Sequence, residues 1–129
     1  MEINHLKKIL YEFGSNVKFD QDLKRKNWFN IGGRSKVFYT AENLIELIKF
    51  LKILNNKEKI FILGAGSNTL INDKLFDGIV IKLSKNFNNI SLLGEDIIIA
   101  GGAVTDKSLS DFAMDNNLTG FEFLSCIPG

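Results

Sequence analysis

The residues with the clearest potential for chemistry form a short glycine-rich segment, GAGSN, at positions 64–68, directly after the apolar run at 60–63. Backbone N–H groups that converge in a glycine-rich turn form a concave anion site, and the missing side chains let phosphate oxygens come close. Because no lysine or arginine occurs between Ile60 and Asp73, such a site would hold a pyrophosphate through backbone amides. Taken alone, the segment is equally compatible with a plain structural turn.

Three common motifs do not match this segment. A dinucleotide-binding fingerprint that starts at Gly64 and Gly66 needs a small residue where Thr69 stands, followed directly by a helix. A P-loop needs Gly-Lys-Ser/Thr, which the sequence lacks. A nucleophile elbow needs Gly-x-Ser-x-Gly, but Ser67 directly follows Gly66.

Other reactive residue types are isolated in the sequence. One cysteine excludes an intrachain disulfide, and one cysteine with one histidine is too few for a structural zinc site. Cys126 is predicted to be a buried small apolar group, and His5 a surface residue. The scattered acids have no evident partner and are predicted to lie on the solvated surface; they are Asp73, Asp77, Glu95, Asp96 and Glu122. We therefore predict no catalytic residue and no metal ligand.

Composition narrows the class of protein. With 129 residues, of which 45% are hydrophobic, the chain has the size and apolar content of one globular domain. Sixteen Lys and Arg balance fifteen Asp and Glu without a basic block, which argues against nucleic-acid partners. No signal peptide or membrane-length apolar run is present, so a reducing cytoplasm fits best.

The elements around the glycine segment follow from periodicity. An amphipathic helix is predicted at the N-terminus, with an apolar stripe and Gly14 as its stop, followed by an irregular stretch at 17–26 and a loop, NWFNIGG, at 27–33. Next we predict a strand at 36–40, a helix at 42–54 capped by Thr40, and a strand at 60–63 that is buried on both faces. This order of elements predicts a parallel β-α-β unit. Ligands of such sheets bind at the carboxyl ends of the strands, where GAGSN lies. The apolar stripe of the first helix is Ile3, Leu6, Leu10 and Phe13, and that of the second, predicted to be core, is Leu44, Leu47, Ile48, Leu51 and Leu54.

The second half predicts a strand at 79–83, a hairpin of strands 90–93 and 97–100 around Gly94, and a helix at 106–117 capped by Thr105. The apolar face of that helix is predicted to be Leu109, Phe112 and Ala113. AGGAV, at 100–104, is a second glycine-rich junction between strand and helix.

In order and spacing, NWFNIGG, LGAGSN, GGAV and GFEFLSCIPG resemble the N-terminal part of the UDP-N-acetylenolpyruvoylglucosamine reductase (UDP-N-acetylmuramate dehydrogenase) family over residues 27–129. The resemblance implies an α/β (α+β) fold of the vanillyl-alcohol oxidase-like type: a small parallel β-α-β subdomain, then the start of an antiparallel subdomain, with FAD between them. Residues 1–26 would be a helix and lead-in, and 27–129 a partial FAD-binding domain.

The resemblance also implies functional residues. The pyrophosphate loop would be Gly64, Ala65, Gly66, Ser67 and Asn68, and the segment that runs past the flavin would begin with Ile127, Pro128 and Gly129. The family reduces UDP-N-acetylenolpyruvoylglucosamine with NADPH through FAD, in peptidoglycan precursor synthesis. Its substrate-binding Arg, proton-donating Ser and C-terminal Glu fall after Ile-Pro-Gly, at positions outside this sequence.

We therefore expect a fragment that is inactive alone, binds flavin weakly, exposes apolar surface and tends to self-associate, with a second polypeptide or a missing C-terminal half supplying the rest. Two alternatives stay open: another flavin oxidoreductase with the same FAD fold, and a non-catalytic nucleotide-binding module.

Overall fold

The structure, a computed structural model, describes residues 3–55 and 57–127. A four-stranded sheet forms its centre, in the order β1-β2-β4-β3. β1 is antiparallel to β2, whereas β2 and β3 both run parallel to β4. β5 and β6 form a separate antiparallel hairpin. The elements are α1 (Ile3–Ile9), β1 (Val17–Asp22), β2 (Arg34–Ala41), α2 (Leu44–Leu54), β3 (Ile60–Ile62), β4 (Phe76–Leu83), β5 (Ile90–Leu93), β6 (Ile97–Ala100) and α3 (Asp106–Asp115).

The predicted mixture of parallel and antiparallel structure is thus confirmed. The β-α-β unit is present as β2-α2-β3, although β4 lies between its two strands and pairs with both. The hairpin has the predicted bounds, and Gly94 turns with φ 68°. α3 is capped as predicted, since the Thr105 side chain accepts a hydrogen bond from the Ser108 amide at 3.1 Å, but it ends two residues earlier than expected. Its predicted apolar face is buried at Ala113 and half-buried at Leu109 and Phe112.

The main core covers one face of the sheet. Alternate residues of a strand point to the same face, so Val37, Tyr39 and Ala41 of β2 share a side. The Tyr39 ring stacks on Phe50 of α2 with centroids 3.9 Å apart. Leu6, Leu10 and Phe13, which belong to the predicted first stripe, are buried in this core, together with Val17, Leu54, Ile79 and Ile81. The main core therefore leaves the opposite face of β2 and β4 for other contacts.

That opposite face carries a smaller cluster, in which Leu23, Phe38, Leu63 and Val80 are buried. Phe38 and Val80 are paired across β2 and β4, and the next pair on the same face is Thr40 and Lys82. The loop that leaves β3 starts at Leu63, so this cluster anchors the base of the glycine segment.

α2 differs from its prediction in two ways. Its N-cap is Asn43, which accepts a hydrogen bond from the Glu46 amide at 2.9 Å, so the predicted cap at Thr40 is wrong. Only part of the predicted apolar stripe is buried, because the helix packs against the sheet with the side that carries Phe50. Leu47 and Leu54 lie on that side, while Leu44, Ile48 and Leu51 are 60%, 43% and 39% exposed. The helix ends as predicted at Asn55, which has φ 48°.

Two strand predictions are wrong. Residues 17–26 were predicted to be irregular, but they contain β1, which pairs with β2 from Val17 to Asp22. The backbone hydrogen bonds of this pairing stabilise the strand, and they cannot be inferred from the polar residues of the stretch alone. β3 was expected to be buried on both faces, but Ile60, Phe61 and Ile62 are all exposed, because β3 lies at the sheet edge. The first helix is also shorter than predicted and continues as a 3₁₀ segment, Tyr11–Asn16, broken at Gly14.

Large apolar side chains are exposed on several elements. They include Ile45 of α2, Leu70 and Leu75 after β3, Ile97 and Ile99 of β6, and Phe123. Within the described ranges, no helix has the length and apolar character needed to span a membrane.

Candidate functional site

The glycine segment lies at the carboxyl end of β3 and borders a cavity of about 360 Å³. Gly64 and Ala65 line it, and so do Gly102 and Ala103. The other lining residues include Leu83 and Ser84 at the end of β4 and Thr105, the N-cap of α3. The structure therefore brings together the two glycine-rich junctions that the sequence shows 36 residues apart, at 64–66 and 100–102.

Gly66 is required by the fold. It is buried, its φ is +75°, and a Cβ built on it would lie 2.5 Å from the carbonyl oxygen of Lys26. Its own carbonyl accepts a hydrogen bond from the Trp28 amide at 2.9 Å. A side chain at this position would thus collide with backbone and would also have to adopt a left-handed conformation. Gly66 fixes the glycine segment to the NWFNIGG loop.

Gly64 is different, because nothing around it demands glycine. It is exposed, its φ lies outside the left-handed region, and a Cβ built on it would meet no described atom within 4 Å. Gly64 itself lines the cavity. A missing side chain that faces open space is what close approach of a ligand to the backbone requires.

The backbone amides at this point are available to an anion. Leu63 donates the last ladder hydrogen bond of the edge, to the Ile81 carbonyl at 2.9 Å. Within the described residues, the amides of Gly64 and Ala65 donate no hydrogen bond. Both residues are exposed and line the cavity, so we expect their adjacent N–H groups to be within reach of a ligand there.

Basic side chains also surround the segment, which the sequence did not suggest. Lys82 of β4 borders the cavity beside Ala65, and Lys85 lies further along its rim. Burial lowers the pKa of Lys82, and the positive charge of Lys26 lowers it further. Residues 60–73 contain no Lys or Arg, whereas the pairing of β3 with β4 brings Lys82 next to this segment. The signal in the sequence was a lysine within the apolar run IVIKL.

A second cavity of about 360 Å³ adjoins the first on the other side of Ala65. Ala65 and Lys82 line both cavities, and the second is also lined by Arg25, Lys26 and Trp28. Asn27 completes its wall: the residue is 5% exposed, and its Nδ2 donates to the carbonyls of Leu23 and Ile31. Its Oδ1 has no hydrogen-bond partner within the described part of the chain.

Among the described residues, the other predicted site residues do not line these two cavities. Ile127 follows the 3₁₀ segment Glu122–Cys126, is 43% exposed, and does not line either cavity. Pro128 and Gly129 lie outside the described residues. Ser67 is half-buried and Asn68 is exposed, next to the two amides.

The isolated reactive residues mostly lie where the sequence placed them. His5 and the five scattered acids are exposed, as predicted. Asp77 has a partner after all, because Lys36 reaches it at 2.9 Å and lowers the pKa of its carboxyl. The prediction that Cys126 is a buried packing residue is wrong: it is exposed, with its Sγ 3.7 Å from the Ser125 hydroxyl. Among the described residues, no group of three or more His, Cys, Asp and Glu could hold a metal ion.

A family model described as FAD binding domain matches residues 35–129. The chain belongs to the FAD binding domain family. Both glycine junctions and Lys82 fall inside the matched range, whereas α1, β1 and the basic residues at 25–26 precede it. The cavity therefore belongs to the region that defines the family.

Two curated relatives of this chain carry the same name. The chain is 60% identical over 129 residues to UDP-N-acetylenolpyruvoylglucosamine reductase of Pelagibacter ubique, covering all of this chain and 43% of that protein. It is 41% identical over 112 residues to the protein of the same name in Rickettsia typhi, covering 87% of this chain and 38% of that one. The chain thus spans less than half the length of these curated relatives.

A solved structure shares the fold. The crystal structure of UDP-N-acetylenolpyruvylglucosamine reductase from Thermus caldophilus matches with a TM-score of 0.66 at 28% identity, over 84% of this chain and 37% of that one. The expected α/β architecture is confirmed by this match and by the strand pairing described above.

The residues present fit a pyrophosphate-containing cofactor. Two unpaired amides, a glycine without steric need for its missing side chain, and Lys82 converge on one cavity. Charged hydrogen bonds to backbone amides contribute roughly 1.5 to 3 kcal/mol each, so a few of them suffice to hold a dianion.

Proposed function

We propose that this chain is the FAD-binding part of an NADPH-dependent reductase that converts UDP-N-acetylenolpyruvoylglucosamine to UDP-N-acetylmuramate. The observation that carries the proposal is the cavity that the Gly64 junction and the Gly102 junction line together. Membership of the FAD binding domain family and the names of the relatives support it. The reaction supplies a peptidoglycan precursor, so the proposal places the chain in cell-wall synthesis, and hence in growth, shape and division, in the cytoplasm.

In this proposal, Gly64 and Ala65 donate their amides to the pyrophosphate, Gly66 holds the turn in shape, and Ser67 and Asn68 complete the loop. Ile127, Pro128 and Gly129 begin the segment that passes the flavin. When bound, FAD supplies the hydride chemistry, and the protein supplies orientation. The titratable side chains among the described lining residues are Lys82, Lys85 and Asp106, and we assign none of them a catalytic role.

The substrate and the hydride donor are expected to meet residues that correspond to the remaining length of the relatives. The UDP-sugar and NADPH are therefore partners of the complete reductase. We further propose that the complete enzyme shields part of the apolar surface that is exposed here, and that this chain alone self-associates.

The first test is titration of the purified chain with FAD, followed by flavin fluorescence, with FMN and ATP as controls. FAD-selective quenching supports the proposal, because FMN has no pyrophosphate and ATP has no flavin. Binding of ATP in preference to FAD would instead support the non-catalytic nucleotide-binding module. If this chain is fused to the C-terminal part of the Pelagibacter ubique relative, UDP-sugar-dependent flavin oxidation is expected; flavin oxidation that ignores the UDP-sugar would favour another flavin oxidoreductase.

A further inference from the structure

We propose that Lys82, with Lys26 beside it, forms a cationic half of the phosphate site, so that the anion lies between two lysine ammonium groups and the amides of Gly64 and Ala65. The ligand class is a nucleotide that carries a pyrophosphate, which deepens the proposed function and rests on it. The sequence alone favoured a site without basic side chains, so this inference comes from the structure.

Position supports the role of Lys82. It pairs with Thr40 across β2 and β4, on the face opposite the Tyr39 core, and it is the basic residue that lines both cavities. Ala65 is the other residue that the two cavities share, so the Lys82 side chain and an unpaired amide border the same space. An anion bound at the Ala65 amide would therefore lie in a cavity that Lys82 also lines.

Electrostatics support it as well. Within the described residues, neither Lys82 nor Lys26 forms an ion pair; the Lys26 ammonium lies over the Phe38 ring, 5.2 Å from its centroid. The other charged groups that line the two cavities are Arg25, Lys85 and the carboxylate of Asp106. Cations outnumber the anion four to one around this space, and a partly desolvated lysine without an anionic partner costs free energy unless a ligand neutralises it.

The test compares Lys82→Met, Lys82→Arg and the control Lys52→Met, which removes one charge from exposed α2 on the other face of the sheet. FAD, riboflavin and inorganic pyrophosphate are the probes. We expect Lys82→Met to weaken FAD binding about tenfold or more, since one charge-assisted hydrogen bond is lost, and to leave riboflavin binding unchanged. Lys82→Arg should bind FAD within about threefold of the wild type, and Lys52→Met should match it.

A second measurement separates ligand binding from structure. Without ligand, Lys82→Met should unfold at the same or a higher temperature than the wild type, because the mutation removes a partly buried charge that Lys26 repels. A lower unfolding temperature together with weaker binding of both FAD and riboflavin would overturn the inference and indicate a structural role. Unchanged FAD affinity in Lys82→Met would also overturn it.

The proposed function can fail separately. If the wild type binds no FAD, pyrophosphate still tests Lys82: thermal protection of the wild type but not of Lys82→Met would retain the cationic site while rejecting FAD. If pyrophosphate raises the unfolding temperature of neither the wild type nor Lys82→Met, the proposal of a cationic site is rejected as well.

Discussion

Substitution of Gly64 and of Gly66 by alanine should have opposite effects, although the two glycines are separated by one residue. At Gly66, the left-handed φ of +75° costs an alanine about 1 to 3 kcal/mol. The new Cβ would also lie 2.5 Å from the Lys26 carbonyl, so the backbone must move as well. We expect Gly66→Ala to lose at least that much free energy of unfolding in urea.

At Gly64, neither cost arises, because the φ is ordinary and the Cβ meets no described atom. Replacing glycine by alanine at such a position stabilises a protein by about 0.4 to 1 kcal/mol, since the unfolded chain loses freedom. The methyl group would, however, be added to a residue that lines the cavity, next to the amides that we propose bind the pyrophosphate. If one charged hydrogen bond of about 1.5 to 3 kcal/mol is lost, FAD affinity falls roughly tenfold to a hundredfold.

The assay is urea unfolding and FAD titration of both variants, with Gly94→Ala as the matched control. Gly94 also has a positive φ of +68° and an open Cβ position, but it lies in the β5-β6 turn. It should lose only the conformational term and bind FAD as the wild type does. The reasoning is refuted if Gly64→Ala unfolds at clearly lower urea, if it binds FAD at wild-type affinity, or if Gly66→Ala is as stable as Gly94→Ala.

Three further predictions concern stability and association. Burial raises the pKa of Tyr39 to about 12, so the tyrosine ionises at lower pH in the unfolded chain than in the folded chain. Between pH 10 and 12, the wild type should therefore lose up to about 2 kcal/mol of unfolding free energy relative to Tyr39→Phe, as measured by urea unfolding; equal losses would contradict this. The buried Tyr39 hydroxyl has no hydrogen-bond partner among the described residues, so Tyr39→Phe should be no less stable than the wild type at pH 7. Asn43→Ala should cost about 1 kcal/mol by removing the cap of α2, whereas Thr40→Ala should not disturb that helix end, as circular dichroism melts can show. Ile45, 81% exposed, should promote self-association, so sedimentation velocity should show smaller species for Ile45→Lys; identical distributions would exclude this face.

Local chemistry explains which elements could be predicted. The hairpin turn needs a left-handed residue, and Gly94 supplies it; α3 needs a side-chain acceptor before its first turn, and Thr105 supplies it. The glycine junction was recognisable because an apolar run ended directly in GAGSN. These signals lie within a few residues of the feature they specify.

The errors come from contacts between distant parts of the chain. β1 exists because β2 pairs with it, and β3 is exposed because β4 takes the central position. The basic side of the site was missed for the same reason, since Lys82 follows Ala65 by 17 residues and reaches it through the β3-β4 pairing. The distinct roles of Gly64 and Gly66 required the position of the Lys26 carbonyl, which no spacing in the sequence reveals.

The central claim is that the amides of Gly64 and Ala65 bind the cofactor pyrophosphate, and amide NMR of the ¹⁵N-labelled chain tests it most directly. On addition of FAD, we predict the largest downfield proton shifts at Gly64 and Ala65, as hydrogen bonds to phosphate form, with the same two shifts on addition of pyrophosphate. Saturable FAD binding that leaves both amides unshifted would contradict the claim.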